Sequence, residues 1–359
     1  MKPVLVSVTV VTHNSGRFIG RCLDALLAQN YQPLEVIVVD NASQDESKAI
    51  LARYAGRILL IENDRNAGFA AAQNRAIAAS RGQWILTLNP DVLVQPGFIE
   101  RLVEAGSLDA RAGAVCGKLL RIAGDFKIPS EPRIDSTGIY FTPGLRHFDR
   151  GWNEPDDGRY PRAEYVFGAS AAAALYRRTM IADIALDDGF FDPDFFMYRE
   201  DADVAWRSQL LGWRCVYTPG AAAYHVRSVV AGARPSVPAV LRMHSVKNRF
   251  LMRVKNMTAD LYRRHWLAAT LRDVVVIGGC LLLEPRSLPA FGRIVRCLPR
   301  AVAKRRQIMG RRRASGEYLA SWFHSSPSSR AVETQIPAAA TQPPAATNTP
   351  VKSLAAEVR

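Results

Sequence analysis

The chain has 359 residues, of which 48% are hydrophobic and 22% charged, and this composition excludes a wholly disordered protein. The formal net charge of +14 lies in one part of the chain, because residues 1–241 hold 26 Lys and Arg against 27 Asp and Glu, whereas residues 242–313 hold 18 against 3. Five scattered cysteines without CxxC spacing argue against a disulfide framework or a zinc site and indicate a reducing compartment.

Predicted strands and helices alternate from residue 4 to residue 88. Runs rich in β-branched residues predict strands at Val4–Val11, Leu34–Val39, Ile58–Ile61 and Trp84–Leu88. Apolar residues at helical spacing predict helices at Phe18–Gln29, from Asp45 onward, and at Ala70–Ser80. This alternation favours a largely parallel α/β sheet, in which ligands bind beyond the carboxyl ends of the strands.

The chain beyond these elements is less regular. Residues 117–165 are rich in Gly, Pro and charge, which predicts a long substrate-facing excursion with short strands. Tyr165–Tyr176 is interpreted as a strand pair or a turn, and Phe190–Trp213 as a return to regular structure that includes an amphipathic helix. Beyond Ser325 the Ser, Pro, Ala and Thr composition predicts disorder, because too little apolar surface can be buried to offset the ordering entropy.

Polar clusters follow three of the predicted strands. The sequence lacks GxGxxG, the P-loop, GxSxG and HExxH, which argues against dinucleotide binding, P-loop phosphate chemistry, an α/β-hydrolase and a zinc protease. Asp40 follows the second strand and Asp91 the fourth. One carboxylate could accept hydrogen bonds from a nucleobase or ribose, and the other could hold a hard cation. Taken singly, each cluster is more typical of an ordinary turn, because Asp and Asn at strand ends commonly form turns.

Five motifs occur in a specific order: Val10–Ser15 (VVTHNS), Val39–Asp45 (VDNASQD), Asn66–Ala70 (NAGFA), Leu88–Asp91 (LNPD) and Phe195–Asp203 (FFMYREDAD). Together they resemble family 2 glycosyltransferases of the GT-A fold, in particular the rhamnosyltransferase-like branch. The resemblance runs from about Val4 to His225. It implies a nucleotide-diphospho-sugar transferase fold, a Rossmann-like mixed α/β sheet flanked by helices, here with a basic helical C-terminal extension. The expected domains are a glycosyltransferase domain at 1–241, a basic amphipathic helical region at 242–324 and a disordered tail at 325–359.

The resemblance also implies roles for individual residues. Asp40 would contact the pyrimidine base, and the full predicted nucleotide-sugar set is Thr12, Asn14, Asp40, Asn41, Ser43, Asn66, Gly68, Asn74 and Asn89. Asp91 and His225 would bind Mg²⁺ or Mn²⁺. The sequence departs from the family pattern at Asn89, which stands where the metal motif has its first Asp, and at Arg75, where Gly is common.

Three carboxylates precede the amphipathic helix of the last motif. The family pattern implies that Asp201 is the catalytic base, with Glu200 beside it to orient the acceptor and Asp203 as the alternative base. Sugar transfer needs a group that removes the acceptor proton as the oxygen attacks. Carboxylates at this position can equally cap the helix and complement its dipole, which accounts for one of the three. Transfer by a single displacement predicts inversion at the anomeric carbon.

The implied function is that of an inverting, metal-dependent glycosyltransferase. It would move a rhamnose-like deoxyhexose or a hexose from a UDP- or dTDP-sugar to a hydroxyl of a lipid-linked or polysaccharide acceptor in cell-envelope glycan synthesis. The alternative is a catalytically silent binding protein that keeps the fold at the membrane surface, which Asn89 and Arg75 favour. A sugar nucleotidyltransferase is a weaker option, since no GTRxxPxT-like loop follows the first strand.

The basic segment 242–313 interleaves arginines with apolar clusters, which favours an anionic membrane surface over nucleic acid. The alternative is a basic helical subdomain packed on the main domain. The longest apolar run, 274–283, is shorter than the ~20 residues of a spanning helix. The N-terminus is interpreted as a strand and not as a signal peptide. We therefore expect a cytoplasmic protein, peripheral at the inner face of the cell membrane.

Overall fold

A computed structural model describes residues 3–227, 238–327 and 330–331. The strands are β1 (Val6–Thr12), β2 (Leu34–Asp40), β3 (Leu59–Glu62), β4 (Trp84–Leu88), β5 (Val92–Val94), β6 (Ala112–Arg121), β7 (Arg133–Ser136), β8 (Ile139–Phe141), β9 (His147–Asp149), β10 (Glu164–Val166), β11 (Ala173–Arg177), β12 (Arg214–His225) and β13 (Arg330–Ala331). The helices are α1 (Gly16–Leu27), α2 (Ser47–Ala52), α3 (Phe69–Ala79), α4 (Phe98–Ser107), α5 (Arg178–Ile184), α6 (Glu200–Leu210), α7 (Ala239–Asn256), α8 (Ala259–Leu282), α9 (Pro289–Gly310) and α10 (Gly316–Ala320). The predicted tail falls mainly on residues 328–329 and 332–359, which lie outside the described residues.

The central strand β1 is buried on both faces, which explains its nearly continuous β-branched sequence. Val6, Val8 and Val10 point into the main core, where α1 and α4 also contribute. Val11 points the other way and packs with residues of β2 and α3 in a second, smaller core. Alternate side chains of one strand therefore fill two cores, as expected of a sheet covered by helices on both faces.

Eleven strands form one mixed sheet in the order β13-β10-β12-β6-β11-β4-β1-β2-β3, with β5 paired to β12 and β7 to β6. The four strands β1 to β4 are parallel, as the alternation predicts. Strand β11 runs antiparallel between β4 and β6. The sheet is therefore mixed, as the family resemblance implies, and less parallel than the alternation alone suggests. Strands β8 and β9 form a separate hairpin over the sheet.

The C-terminal helices share the main core with the sheet. Leu251 of α7, Leu261 of α8 and Ile308 of α9 are buried in the same cluster as the strands. The expected boundary between residues 241 and 242 falls inside α7. Lys255, near the end of α7, is fully buried and forms ion pairs with Asp192 and Asp203 at 2.5 and 2.9 Å.

Within the described part of the chain, α8 alone has the length and apolar composition of a helix that could cross a membrane. It includes residues 274–282 of the apolar run and extends toward the N-terminus. Only 11% of its most apolar window is buried. Its outer face is unusually apolar for a surface helix and consists of Trp266, Leu267, Leu271, Val274, Val275, Leu281 and Leu282.

Candidate active site

Two predicted nucleotide residues lie side by side at the carboxyl edge of the sheet. Thr12 ends β1, Asp40 ends β2, and the two are partners in the parallel register. Both are fully buried. Asp40 Oδ2 accepts a hydrogen bond from the Ser43 amide at 3.2 Å, but Asp40 Oδ1 and Thr12 Oγ1 are buried without a protein partner. Buried polar atoms are nearly always hydrogen-bonded, so these two are suited to contact a bound ligand.

The loops that follow β1 and β2 are held together by their own polar side chains. The Asn14 amide donates to Ser43 Oγ at 2.9 Å, and the Gln44 amide donates to Asn14 Oδ1 at 2.7 Å. Asn14 itself adopts a left-handed backbone, with φ of 51°. Asn14 and Ser43 thus fix the rim of the Thr12–Asp40 site.

Asn41 and Asn66 organise the loop before α3. Asn41 Nδ2 donates to Asn66 Oδ1 at 2.9 Å, and Asn41 Oδ1 accepts from the Ala67 amide at 2.9 Å. Gly68 follows with φ of 84°, and a Cβ there would lie 2.5 Å from the Phe196 ring. Glycine is required at this position because the loop approaches Phe196 closely and the backbone is left-handed.

Asn74 has a different location from the other predicted nucleotide residues. Its Nδ2 donates to the Phe191 carbonyl at 2.7 Å, and its Oδ1 accepts from the Phe191 amide at 2.9 Å. Both ends of the amide are therefore engaged in holding the loop that follows α5. The donor role of Asn74 stays a prediction, and its contacts are those of a loop anchor.

An open cleft of about 690 Å³ brings together the predicted catalytic and metal residues. Its lining includes Asn89, Asp91, Glu200, Asp201 and His225. Asp203 does not line this cleft. Of the predicted nucleotide residues, Asn89 lines it and the others do not. A second cavity of about 530 Å³, between the 211–214 segment and Tyr318, has a lining without Asp, Glu, His or Cys among the described residues.

Asp91 and His225 meet where β5 pairs with the end of β12. His225 Nε2 lies 3.4 Å from Asp91 Oδ1, and His225 Nδ1 lies 2.8 Å from Asp135 Oδ2. Burial alone would lower the pKa of His225, but the hydrogen bonds to Asp135 and Asp91 outweigh it and raise the pKa to about 10. Asp135 also pairs with Arg227 at 3.0 Å. A histidine oriented by a carboxylate through its second nitrogen is a common arrangement of metal ligands.

Glu200 and Asp201 begin α6, and neither forms an ion pair with a basic side chain in the described part of the chain. Burial, followed by the charge of Asp201, raises the pKa of Glu200, and its Oε2 is buried without a hydrogen-bond partner. Burial, followed by the charge of Asp149, raises the pKa of Asp201. Asp201 accepts hydrogen bonds from the Ala202 amide at 2.7 Å and the Ala171 amide at 3.4 Å. Raised pKa values in a cleft are typical of groups that exchange protons.

The loop before these carboxylates is conformationally strained. Phe196, Tyr198 and Arg199 all have left-handed φ values, between 65° and 70°. Asn248 of α7 holds the loop, since its Nδ2 lies 2.7 to 2.9 Å from the carbonyls of residues 195, 197 and 198. Such backbone strain persists only where the surroundings enforce it, and it is concentrated at functional sites.

Asp203 has a structural environment. It is fully buried, and Oδ2 accepts from Arg207 Nε at 2.9 Å. Oδ1 accepts from Asn256 Nδ2 at 2.8 Å and from Lys255 Nζ at 2.9 Å. Both carboxylate oxygens are therefore engaged, and Asp203 is less suited to act as the base than Asp201.

A second acidic group, Asp188, Asp192 and Asp194, lies close enough together to hold a cation. The ammonium of Lys304 already lies among them, at 2.6, 2.5 and 3.0 Å respectively. This cluster is therefore neutralised by the protein itself and is not the predicted metal site.

The sequence did not single out Asp149, Arg199 and Arg227, which line the cleft, or Asp135 and Asn248, which hold lining residues in place. Asp135 and Asp149 lie in the irregular region 117–165, where no periodic pattern indicates which side chains face inward. Asp135 is 90 positions from its partner His225. Asn248 lies in the segment that composition separates from the domain. Spacing carries no signal for contacts of this kind.

Comparison with known proteins identifies the family of the chain. A family model described as glycosyl transferase family 2 matches residues 7–203. The chain is 30% identical over 249 residues to the N-acetylglucosaminyl-diphospho-decaprenol L-rhamnosyltransferase of Mycobacterium tuberculosis, a match that covers 65% of this chain and 79% of the relative.

Solved structures are similar in fold at low identity. The crystal structure of GalNAc-T7 with UDP, GalNAc and Mn²⁺ has a TM-score of 0.57 at 16% identity, covering 73% of this chain and 50% of the longer chain. The structure of residues 1–349 of TarS from S. aureus has a TM-score of 0.51 at 16% identity, covering 88% and 89%. The fold class expected from the sequence is confirmed.

Proposed function

The chain belongs to glycosyl transferase family 2, in its rhamnosyltransferase-like part, and has the GT-A fold. From this premise we propose that it is an inverting glycosyltransferase of cell-envelope glycan synthesis. It transfers a deoxyhexose or hexose from a UDP- or dTDP-sugar to a hydroxyl of a lipid-linked or polysaccharide acceptor. Family membership favours an enzyme over the catalytically silent alternative.

The observation that carries the proposal is the pairing of two different acidic environments in one cleft. Asp91 lies beside His225 at 3.4 Å, as expected of a cation site for a diphosphate. Glu200 and Asp201 line the same cleft and have raised pKa values, as expected of a proton acceptor. A sugar donor and a hydroxyl acceptor need both environments.

The donor nucleotide binds at the carboxyl edge of β1 and β2. Asp40 Oδ1 and Thr12 Oγ1, both buried without a protein partner, meet the pyrimidine base or ribose. Asn14 and Ser43 support this site through the contacts between their loops.

Asp201 acts as the base. Its carboxylate takes the proton of the acceptor hydroxyl while the acceptor oxygen forms a bond to the anomeric carbon. The bond from that carbon to the nucleotide diphosphate breaks, and its electron pair leaves with the diphosphate oxygen. The incoming and leaving oxygens lie on opposite sides of the carbon, so the product is inverted. Glu200, protonated at neutral pH by its raised pKa, orients the acceptor.

The residues at the end of β12 fit a divalent cation. Asp91 and His225 would hold Mg²⁺ or Mn²⁺, Asn89 offers an amide oxygen in the same cleft, and Asp135 orients the imidazole. One carboxylate and one imidazole are fewer anionic ligands than a pair of carboxylates, and imidazole suits Mn²⁺ better than Mg²⁺. When bound, the cation supplies positive charge to the departing diphosphate.

A nucleotide-sugar screen tests the proposal. The full chain is titrated with UDP-, dTDP- and GDP-sugars in Mg²⁺ or Mn²⁺, and donor turnover is followed in the same samples. We expect pyrimidine donors to bind with metal, and Asp91→Ala to lose about 10²–10³-fold in turnover, as removal of charge stabilisation commonly does. Absence of binding by any pyrimidine donor, or full turnover of Asp91→Ala in chelator-controlled buffer, contradicts the proposal.

We further propose that the outer face of α8 rests on an anionic membrane leaflet. Trp266 and Leu282 on this face are 52% and 83% exposed. Exposed arginines occur on α8 itself, at Arg263 and Arg264, and on α9, at Arg293 and Arg296. A helix face that combines exposed apolar residues with nearby basic residues in the sequence is typical of interfacial helices.

The attachment of α8 favours a helix that lies on the membrane over one that crosses it. Asp273, in the middle of α8, pairs with Arg249 at 3.1 Å and with Arg253, both on α7. Ala269 and Cys280 are buried on the same side of the helix. Separation of α8 from the domain would expose these groups, so the inner face stays attached while the outer face meets lipid.

Liposome co-sedimentation of the full chain tests this orientation. We expect Leu271→Glu with Val275→Glu to lose binding to anionic vesicles, and the matched control Leu59→Glu with Leu60→Glu, on the exposed strand β3, to keep it. Binding should fall with salt, since the Debye length shrinks from about 10 Å at 0.1 M to about 3 Å at 1 M. Equal binding of both variants contradicts contact between the outer face of α8 and the membrane. Resistance to alkaline extraction indicates a spanning helix.

A further inference from the structure

The loop that leads into the two carboxylates of the cleft is bound by one amide group of the C-terminal region. Asn248 of α7 is fully buried, and its Nδ2 donates to the carbonyls of Phe195, Met197 and Tyr198 at 2.9, 2.9 and 2.7 Å. Its Oδ1 is buried without a hydrogen-bond partner in the described part of the chain. The polar contacts of Asn248 are therefore all directed to this loop.

Stability alone does not account for this arrangement. Phe196, Tyr198 and Arg199 have left-handed backbones, which are costly for residues other than glycine. A buried amide oxygen without a partner also lowers stability. Unfavourable features that the surroundings enforce are concentrated at functional sites. The functional groups next to this loop are the carboxylates of Glu200 and Asp201, which follow it directly in the chain.

Both ends of the loop are also fixed. The Phe196 ring stacks on His244 of α7, with ring centroids 4.8 Å apart and planes inclined by 19°. The Phe196 carbonyl accepts a hydrogen bond from the Ala70 amide of α3 at 3.2 Å. At the other end, Arg199 Nε donates to the Ser245 carbonyl of α7 at 2.9 Å. The loop thus lies between α7 and the start of α3, and the amide group of α7 binds its middle.

The loop determines the direction of the proposed base. Arg199 is the N-cap residue of α6, and Glu200 and Asp201 are the first two residues of that helix. A change of backbone angle at Arg199 therefore turns both carboxylates relative to the cleft. Asn248 does not line the cleft, so it acts on the reaction through the loop. Misplacement of a reacting group by about 1 Å can lower the rate by about 10²-fold.

We propose that Asn248 is a positioning residue for Asp201, because it enforces the left-handed loop that directs this carboxylate into the cleft. The inference rests on the proposed function, since it takes Asp201 as the base. It adds a residue from the segment that composition separates from the domain. Helix α7 then belongs to the catalytic unit, and a boundary between residues 241 and 242 would separate the base from the side chain that positions it.

The test compares Asn248→Ala with the matched control Asn256→Ala in the full chain. Both asparagines are fully buried on α7, and both donate through Nδ2, but Asn256 binds the structural carboxylate of Asp203 at 2.8 Å. Asp203 keeps its ion pairs with Arg207 and Lys255 in the control, so α6 stays in place. Both variants should lose stability, whereas only Asn248→Ala should slow the reaction.

Turnover is measured as hydrolysis of dTDP-rhamnose with Mn²⁺, and of UDP-glucose as the second probe. Water takes the place of the acceptor hydroxyl, gives its proton to Asp201 and forms the bond to the anomeric carbon as the nucleotide diphosphate leaves. We expect kcat of Asn248→Ala to lie about 10²-fold below that of Asn256→Ala. The affinity for dTDP and UDP, measured by calorimetry, should be unchanged.

Hydrogen exchange of the amides of residues 196–202 reports on the loop itself and needs no substrate. It should be faster in Asn248→Ala than in the wild type and unchanged in Asn256→Ala. Equal kcat in the two folded variants, or equal exchange of these amides, overturns the role of Asn248. A loss of nucleotide affinity as large as the loss of kcat also overturns it, because it indicates damage to the donor site or to the fold.

If Asn248→Ala fails to fold, Asn248→Ser and Asn256→Ser, which retain a hydroxyl donor, make the same comparison. A wild-type chain that binds neither dTDP nor UDP and hydrolyses neither donor contradicts the proposed function instead. In that case the exchange of the loop amides still decides whether Asn248 holds the loop.

Discussion

Two groups of carboxylates lie within the same twelve residues of chain, and their surroundings differ completely. Asp192 and Asp203 are buried with the ammonium of Lys255 between them, at 2.5 and 2.9 Å. Glu200, which is buried, and Asp201, which is half-buried, lie between those two in sequence and line the cleft without an ion pair to a described basic residue. Paired charges lower the pKa of Asp192, whereas desolvation raises the pKa of Glu200 and Asp201.

The difference shows that the C-terminal helices decide which acid is chemically available. Lys255 and Asn256 of α7 bind the carboxylate of Asp203, and Lys304 of α9 forms an ion pair with Asp192. No helix brings a basic group to Glu200 or Asp201 in the described structure. Part of the positive charge of segment 242–313, at Lys255, Arg300, Lys304 and Arg313, therefore pairs with acids of the preceding region.

The largest effect on activity is expected from substitution of Asp201. Asp201→Asn should reduce transfer by about 10²–10⁴-fold, the usual contribution of a general base. UDP affinity, measured by calorimetry, should stay near that of the wild type, because the base acts on the acceptor. If Asp201→Asn remained active while a folded Asp203→Asn variant were dead, the base would be Asp203.

Removal of Lys255, which pairs with Asp192 and Asp203, should lower the free energy of unfolding. Lys255→Met leaves two buried carboxylates with less compensation, and breaking a buried ion pair costs roughly 3–5 kcal/mol. The free energy of unfolding in denaturant measures this loss. Arg263→Met removes the exposed pair with Asp260 and is the control, for which we expect little change. Equal stability of both variants would show that Lys255 has no special role.

A third kind of acidic environment is that of Asp135, which orients His225. Asp135→Asn should weaken Mn²⁺ binding by about 10–100-fold, as loss of such an orienting partner typically does. Titration of Mn²⁺ by electron paramagnetic resonance in saturating UDP measures it. Asp156→Asn, which removes a 2.7 Å pair with Lys118, controls for the loss of an ion pair elsewhere. Unchanged affinity in Asp135→Asn contradicts the assignment of His225 as a metal ligand.

The smallest expected effect is a shift in the pH dependence of turnover. Burial and the charge of Asp149 raise the pKa of Asp201 to about 6, and the base works only when deprotonated. Turnover should therefore be constant above this pKa and fall about tenfold per unit below it. Asp149→Asn removes the neighbouring charge and should move the acid limb to lower pH. A limb at the ordinary pKa of an exposed aspartate would show that Asp201 is not the base.

The order of the elements and the family follow from local sequence alone. Strand β4 has the predicted bounds, and β1, β2 and α3 differ from prediction by one or two residues, because their periodicity reflects burial on known faces. The strand-end residues Thr12, Asp40 and Asp91 likewise occur where alternating elements require ligand sites. Their donor and metal roles stay predictions.

Only the tertiary structure decided what the charged residues do. Composition identifies segment 242–313 as basic, but it gives no sign that Lys255 and Lys304 enter the domain or that α8 presents its apolar side outward. Asp203 and Asp201 are two residues apart in one motif, and their different environments depend on α7, more than fifty residues later. The pKa and availability of a carboxylate are set by solvent and by neighbouring charges in space, and sequence spacing records neither.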